Sequence, residues 1–317
     1  MFRIFGEKDF KNKMETVVAP FIRENVKDGY FYSSDGARMH YYAAVNQMER
    51  AAVVISHGFK EFFSKYHEMT YYLYKMGYSV FFIDHRGHGF SYREVPEYDK
   101  VTIKSYNRYV EDLKSFMDQI VSHESMTRRY YLIAHSMGGA IGALFLEKYP
   151  KYFKKAVLSA PLMEMNFQGI PKPVVRFLLI FGQLMHWNTR YVPKQHGYTG
   201  KYNFKTSNCM SQPRYEYIYQ YKKTVPQFQM SGGSYDWTNA TVKATRQILR
   251  DVEKVRVPVL LIQAGADSVV KLSGQNRFAD RSLMVHMVRI PDSKHEMFNG
   301  TLKIRKKFYS EVFKFLG

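Results

Sequence analysis

The sequence predicts an α/β fold in which helices cover both faces of a mostly parallel central sheet, with a helical cap inserted into the chain. Two observations predict the sheet: short apolar runs recur along the 317 residues, and helical segments separate them. A third observation predicts the cap, because one long stretch contains no convincing parallel strand. The length allows a core of full size and exceeds the usual domain by roughly one inserted subdomain.

The chain opens with a polar helical lead of roughly 30 residues and a β-hairpin. Tyr30 to Tyr32 and Arg38 to Val45 are predicted as the hairpin strands, because the Asp35-Gly36 pair between them favours a tight turn.

Six apolar runs then predict the parallel part of the sheet. Each run is apolar on both faces, which is typical of strands that helices cover on two sides. The predicted strands are Ala51–Ser56, Ser79–Ile83, Tyr130–Ala134, Lys155–Ser159, Val259–Ala264 and Val285–Ile290. The predicted helices are Lys65–Met76, Ser105–His123, Gly138–Lys148 and Thr301–Phe315.

The interruption, residues 162–246, is predicted as the helical cap, which leaves 1–161 and 247–317 as the core domain. The cap holds 11 Lys or Arg against 3 Asp or Glu and many aromatic residues. Because dense positive charge attracts anionic surfaces, peripheral contact of this cap with an anionic membrane is one expectation.

The formal net charge of the whole chain, +19, could also attract nucleic acid. The sequence has no zinc-ligand spacing, no RNP-type aromatic motif and no basic helix suited to a groove, so no nucleic-acid partner is expected. The single Cys209 cannot form an intramolecular disulfide, which favours a reducing compartment. The N-terminal residues lack the apolar stretch of a secretory signal, and Val174 to Phe181 is too short to span a bilayer. We therefore expect a cytoplasmic protein, with peripheral contact at the inner face of the membrane as an option.

Ser136 is the candidate nucleophile. It follows a predicted strand directly and precedes a predicted helix, the context of a nucleophile elbow, in which a sharp turn lifts the serine hydroxyl above the sheet. Small flanking residues are needed where strand and helix pass close together, and Gly138 fits this need. Ala134 occupies the position where the G-x-S-x-G pattern has its first glycine.

A serine nucleophile needs a base, and the base needs an acceptor on its other ring nitrogen. His295 follows the last predicted strand, and Asp267 follows the strand before it, so the chain order Ser, Asp, His agrees with this type of fold. Glu164 is a rival for the acid because it lies soon after another strand. Asp292 and Glu296 are weaker rivals because they adjoin the base in sequence.

Ester cleavage passes through an oxyanion that needs N–H donors. The amide of Met137, next to the nucleophile, is one candidate donor, and the amide of Phe59, in the loop His57 to Glu61, is the other. The run Asp84 to Ser91 contains an aspartate and two histidines, but it lacks a third separated group of ligands. We interpret it as a structural turn and expect no metal.

The motifs together resemble the monoacylglycerol lipase and lysophospholipase branch of the α/β hydrolases, and the bacterial lysophospholipases most of all. The segments that carry the resemblance are IDHRGHGFS from Ile83, RYVEDL from Arg108, YLIAHSMGGAIGALFLEKYP from Tyr131, SAPLME from Ser159, GGSYDW from Gly232 and LLIQAGADSVV from Leu260. Ala134 is similar to what bacterial lysophospholipases carry at that position.

The resemblance implies an α/β-hydrolase fold, single-chain lipid esters as substrates, no cofactor, and a cap that covers the active site. It assigns the roles of nucleophile, acid and base to Ser136, Asp267 and His295. Members of this branch are also called serine aminopeptidases of the S33 type, so an aminopeptidase or a small-ester carboxylesterase stays an alternative. A lipid-binding protein without catalysis is a further alternative, and the sequence leaves the oligomeric state open.

Overall fold

The computed structural model describes residues 3–317 and contains ten strands. Eight strands form the central sheet, and two short ones, β5 and β8, pair with each other beside it. In chain order the strands are β1 Lys27–Tyr32, β2 Arg38–Ala44, β3 Ala51–Ser56, β4 Tyr78–Ile83, β5 Lys100–Val101, β6 Tyr130–His135, β7 Lys155–Ser159, β8 Gly232–Gly233, β9 Val259–Ala264 and β10 Val285–Ile290.

The central sheet has the strand order β1-β2-β4-β3-β6-β7-β9-β10. The hairpin strand β2 pairs antiparallel with both β1 and β4, and every pairing from β4 to β10 is parallel. The mostly parallel sheet predicted from the sequence is therefore confirmed. Because parallel strands point the same way, the loops that follow β3, β6, β7, β9 and β10 meet at one edge of the sheet.

Helices cover both faces of the sheet, as the apolar strands require. On one face the core includes side chains of α4 Tyr106–Phe116, α6 Met137–Lys148 and α9 Tyr235–Asp251. On the other it includes side chains of α3 His67–Lys75 and α11 Leu302–Leu316. The remaining helices are α1 Phe10–Lys13, α2 Ala19–Asn25, α5 Ser122–Glu124, α7 Lys172–Leu184, α8 Gln212–Thr224 and α10 Leu272–Asp280.

Two helices differ from the prediction in form. The predicted helix Lys65–Met76 is a 3₁₀ turn, Phe63–Tyr66, followed by α3. The predicted helix Ser105–His123 is α4 continued by a π-helical turn, Met117–Val121, and by α5. The sequence analysis missed α10, whose nine residues LSGQNRFAD have too few apolar positions for a clear helical period.

The predicted cap region contains α7, α8 and the first part of α9. The predicted boundary after Arg246 lies inside α9. On this helix Ala240, Ala244 and Ile248 are all buried in the core beside α6. The division into core and cap stays a proposal, and α9 belongs to both parts. Among residues 3–317 no helix is both long enough and apolar enough to cross a membrane.

Candidate active site

Ser136 lies between β6 and α6 with a left-handed backbone, φ 51° and ψ −115°. A non-glycine residue in this conformation costs free energy, and such strain is found at functional sites. The helix passes so close to β3 that a Cβ on Gly138 would lie 2.1 Å from the carbonyl oxygen of Ser56. The local sequence therefore forms the sharp turn that was predicted, with a glycine where backbones touch.

Ala134 departs from the usual glycine without strain in this fold. Its side chain is fully buried and points toward α6 at Gly142, where an added Cβ would lie 3.3 Å from the Ala134 Cβ. The extra methyl group of Ala134 is thus accommodated by a missing side chain on the facing helix. This compensation explains how the elbow forms with alanine at this position.

The structure brings the three predicted side chains into one hydrogen-bonded chain. Nε2 of His295 lies 2.7 Å from Oγ of Ser136, and Nδ1 of His295 lies 2.6 Å from Oδ2 of Asp267. The other carboxylate oxygen of Asp267 accepts hydrogen bonds from the amides of Val269 and Val270, at 2.8 and 3.1 Å. These contacts fix the carboxylate toward the imidazole.

The electrostatics favour an ionised Asp267. Burial alone would raise the pKa of this carboxyl, but the hydrogen bond and charge of His295 and the two amides together lower it. An ionised acceptor at Nδ1 places the imidazole proton on that nitrogen, so Nε2 is free to accept the hydroxyl proton of Ser136.

The rival acids have other partners or lie outside this chain of hydrogen bonds. Glu164 forms ion pairs with Lys172 at 2.8 Å and with Arg277 at 2.7 Å. Glu296 pairs with Lys65 at 2.8 Å. Asp292 forms no hydrogen bond or ion pair with His295 within residues 3–317.

Of the two predicted oxyanion donors, Phe59 lines the same cavity as Ser136, and Met137 is the next residue in the chain. Within residues 3–317 neither the Phe59 amide nor the Met137 amide donates a hydrogen bond to another group of the chain. The neighbouring Gly58 amide is occupied, because it donates to Oε2 of Glu61 at 2.6 Å. Free amides beside a nucleophile are suited to an oxyanion.

A buried pair of ion pairs connects the loop His57 to Glu61 with the loop that carries His295. The sequence analysis missed this connection. Nζ of Lys65 lies 2.9 Å from Glu61 and 2.8 Å from Glu296, the residue after His295. Burial opposes the charge of Glu61, yet Lys65 and the His135 ring outweigh it and lower its pKa. The spacing of Glu61 and Lys65, one helical turn apart, was the available sequence signal.

The turn Asp84 to Ser91 holds structural contacts. Oδ2 of Asp84 lies 3.0 Å from Nδ1 of His40 and accepts the amide of Phe90 at 3.1 Å. The ring of His85 lies 2.8 Å from Oγ of Ser56 on β3. In the part of the chain that the structure describes, no group of three or more His, Cys, Asp or Glu residues could hold a metal ion.

Ser136 faces a cavity of about 390 Å³. Its walls come mainly from the predicted cap and are largely apolar, with two lysines and, over the described residues, no Asp or Glu in the lining. The lining residues are Phe59, Lys60, Ser136, Leu162, Met165, Phe167, Gln168, Ile170, Val192, Pro193, Lys194, Gln195, Thr206, Asn208, Gly233, Trp237, Thr238, Ser268, Val269 and Val270.

Comparison with known proteins identifies the family of the chain. The family model described as "Serine aminopeptidase, S33" matches residues 47–301. The chain belongs to this family. The expected resemblance to its lysophospholipase and monoacylglycerol lipase branch is also confirmed by the curated relatives.

Two relatives illustrate the range of these matches. Lysophospholipase L2 of Escherichia coli (strain K12) is 31% identical over 235 residues, which cover 72% of this chain and 67% of the relative. The monoglyceride lipase of Homo sapiens is 25% identical over 272 residues, which cover 83% of this chain and 78% of the relative.

Solved structures confirm the α/β-hydrolase fold of this S33 family member. A soluble variant of monoglyceride lipase from Saccharomyces cerevisiae has a TM-score of 0.72 at 19% identity and covers 92% of this chain and 94% of its own. The monoacylglycerol lipase of Paleococcus ferrophilus has a TM-score of 0.67 at 17% identity, with 88% and 98% covered.

Proposed function

We propose that this chain is a serine esterase that hydrolyses the acyl ester of single-chain lipids, lysophospholipid or monoacylglycerol. The observation that carries the proposal is the continuous hydrogen-bonded chain from Ser136 through His295 to Asp267, at the base of a largely apolar cavity. The names of the relatives support the same substrate class.

The proposed reaction has two stages. His295 takes the hydroxyl proton while Oγ of Ser136 attacks the ester carbonyl, and the amides of Phe59 and Met137 stabilise the oxyanion. The C–O bond to the alcohol then breaks, and His295 returns the proton to the leaving alcohol, so the acyl chain stays on Ser136. Water deprotonated by His295 then attacks the acyl-serine, the bond between the acyl carbon and Oγ of Ser136 breaks, and His295 returns the proton to Oγ as the fatty acid leaves.

The exposed face of α7 supports a proposal of lipid contact. Globular proteins rarely expose a contiguous apolar patch to solvent. On α7 several apolar side chains are exposed, with Phe177 65% and Leu184 72% exposed. The exposed apolar residues of this segment are Val174, Phe177, Ile180, Phe181, Leu184 and Met185. Together with the excess of basic residues in 162–246, this face suits peripheral contact with an anionic membrane, at its cytoplasmic side.

The aminopeptidase alternative has less support. An enzyme that binds a free amino terminus needs a carboxylate near the nucleophile, and the described lining of the cavity contains lysines instead. A small-ester carboxylesterase would use the same chemistry and differ in the length of acyl chain that the cavity accepts.

The test is a panel of lysophospholipids, monoacylglycerols, short p-nitrophenyl esters and aminoacyl amides, assayed with the wild type and with Ser136→Ala. We expect hydrolysis of the long-chain esters, and a loss of at least about a thousandfold in kcat for Ser136→Ala, since the nucleophile is removed. A fluorophosphonate probe should label only the wild type. Turnover by the folded variant at the wild-type rate, or preferential cleavage of aminoacyl amides, would contradict the proposal.

A further inference from the structure

Lys60 occupies an unusual position in the active-site cavity. It directly follows the proposed oxyanion donor Phe59 and has a left-handed backbone, φ 64°. Four of the seven non-glycine residues with positive φ in 3–317 line this one cavity, namely Lys60, Ser136, Gln168 and Lys194. Backbone strain of this kind clusters at ligand-binding sites.

The Lys60 ammonium has no partner of opposite charge among the residues that the structure describes. Within residues 3–317 it forms no hydrogen bond and no ion pair, and the nearest recorded contact is the Phe59 ring, whose centroid is 5.3 Å from Nζ. Partial burial in the cavity lowers the pKa of Lys60 to about 8. Because a desolvated, unpaired cation is costly, an anion at this position would be bound favourably.

Other positive charges near Lys60 also favour the binding of an anion there. Glu61, the next residue in the chain, already pairs with Lys65, which also pairs with Glu296. On α8, burial and then the charge of Lys60 lower the pKa of Lys222 to about 7, and the Lys222 ammonium donates to the carbonyl of Met230 at 2.7 Å. The second lysine of the cavity lining, Lys194, adds positive charge.

We propose that Lys60 binds the phosphate of a lysophospholipid headgroup and so makes phosphate-bearing esters better substrates than neutral monoacylglycerols of the same chain length. The inference rests on the proposed function. Of the two substrates proposed there, it favours lysophospholipid over monoacylglycerol. The phosphate of such a lipid follows the scissile ester through the short glycerol backbone, and Lys60 follows the oxyanion donor by one residue. Lysine is a common point-charge ligand of phosphate, and the apolar walls are left for the acyl chain.

The test compares three soluble substrates with one decanoyl chain: lysophosphatidylglycerol, lysophosphatidylcholine and monodecanoylglycerol, each below its critical micelle concentration. The variants are Lys60→Met, which keeps the length of the side chain, and Lys60→Arg, which keeps the charge. Lys201→Met is the matched control, because it removes an exposed charge of the cap outside the cavity. Thermal unfolding of each variant checks the fold.

We expect Lys60→Met to lower the ratio of kcat/KM for lysophosphatidylglycerol to that for monodecanoylglycerol by about tenfold to a hundredfold. Lys60→Arg should restore most of that ratio, and Lys201→Met should keep the wild-type ratio. In the wild type the ratio should fall as the pH rises through about 8, since Lys60 then loses its charge.

The outcomes separate this inference from the proposed function. If the wild type hydrolyses all three lipids and Lys60→Met leaves the ratio unchanged, the phosphate site is wrong and the esterase proposal stands. If the kcat/KM for lysophosphatidylcholine equals that for monodecanoylglycerol, the site selects substrates by their net charge and not by their phosphate. That result would also contradict the inference. If the wild type hydrolyses none of the lipids, the proposed function fails and the inference fails with it.

Discussion

The carboxylate of Glu61 accepts a hydrogen bond from the amide of Gly58 at 2.6 Å, one residue before the proposed oxyanion donor. The same carboxylate binds Lys65, which also holds Glu296 beside His295. The buried carboxylate of Glu61 therefore holds the loop His57 to Glu61. Through Lys65 it is also connected to the loop that carries His295.

We expect Glu61→Gln to lower kcat by about tenfold, because the amide side chain keeps an acceptor for Gly58 but weakens the hold of Lys65. The free energy of unfolding should fall by about 1 to 3 kcal/mol. Steady-state kinetics and chemical denaturation measure the two effects, with the more exposed Glu111→Gln as control. A variant with reduced stability and unchanged kcat would show that the bridge is structural only.

Asp267→Asn should keep the fold and lower kcat by about a thousandfold or more, because the imidazole loses the acceptor that sets its tautomer. Glu164→Gln is the matched control, since Glu164 was the rival acid and pairs with Lys172 and Arg277. Ester hydrolysis by both variants, measured with one substrate, distinguishes the two carboxyls. Equal losses would count against the assignment of Asp267.

Gly138→Ala should destabilise the protein by about 3 kcal/mol or more and remove activity, because the new Cβ would lie 2.1 Å from a backbone oxygen of β3. Gly6→Ala is the control, since its Cβ would meet only Leu302 at an ordinary 3.6 Å. Chemical denaturation measures both. Wild-type stability of Gly138→Ala would mean that helix and strand separate more easily than the contact implies.

The buried Glu147 of α6 predicts a dependence of stability on pH. Both of its oxygens lack hydrogen-bond partners within residues 3–317, and burial, followed by the charge of Asp251, raises its pKa from 4.5 to about 9. Folding therefore takes up a proton between these pH values, so the wild type loses stability as the pH rises from 4.5 to about 9.

Glu147→Gln cannot ionise, so its free energy of unfolding relative to the wild type should increase over the same range, by up to about 4 kcal/mol between about pH 5 and about pH 8 at about 1.4 kcal/mol per pH unit. Chemical denaturation at about pH 5 and about pH 8 measures the difference. The exposed Glu24→Gln, which is not among the groups that shift the pKa of Glu147, should show no such trend. A constant difference for Glu147→Gln at the two pH values would contradict the prediction.

Local signals in the sequence were sufficient for the sheet and for the residues around Ser136. Apolar runs predicted the parallel strands because both of their faces are buried, and the positions of Asp267 and His295 after the last two strands predicted that they would meet. The bridge from Lys65 to Glu296 joins residues 231 positions apart, and only the folded chain brings them together.

Other features depended on tertiary packing in the same way. The boundary predicted after Arg246 falls inside α9, and the sequence did not show that this helix is continuous and packs in the core on both sides of that position. The sequence also did not show that Lys60 lacks an ion-pair partner within residues 3–317, because only the folded chain shows that the adjacent Glu61 pairs with Lys65.

Two parts of the chain contribute different residues to the lining of the cavity. The atoms proposed to react lie on loops of the sheet edge, whereas most of the surface that meets a substrate comes from residues 162–246. Substitutions in residues 162–246 are therefore expected to change the acyl chain that the cavity accepts without changing Ser136, His295 or Asp267. Selection of the headgroup would differ, because Lys60 lies outside residues 162–246.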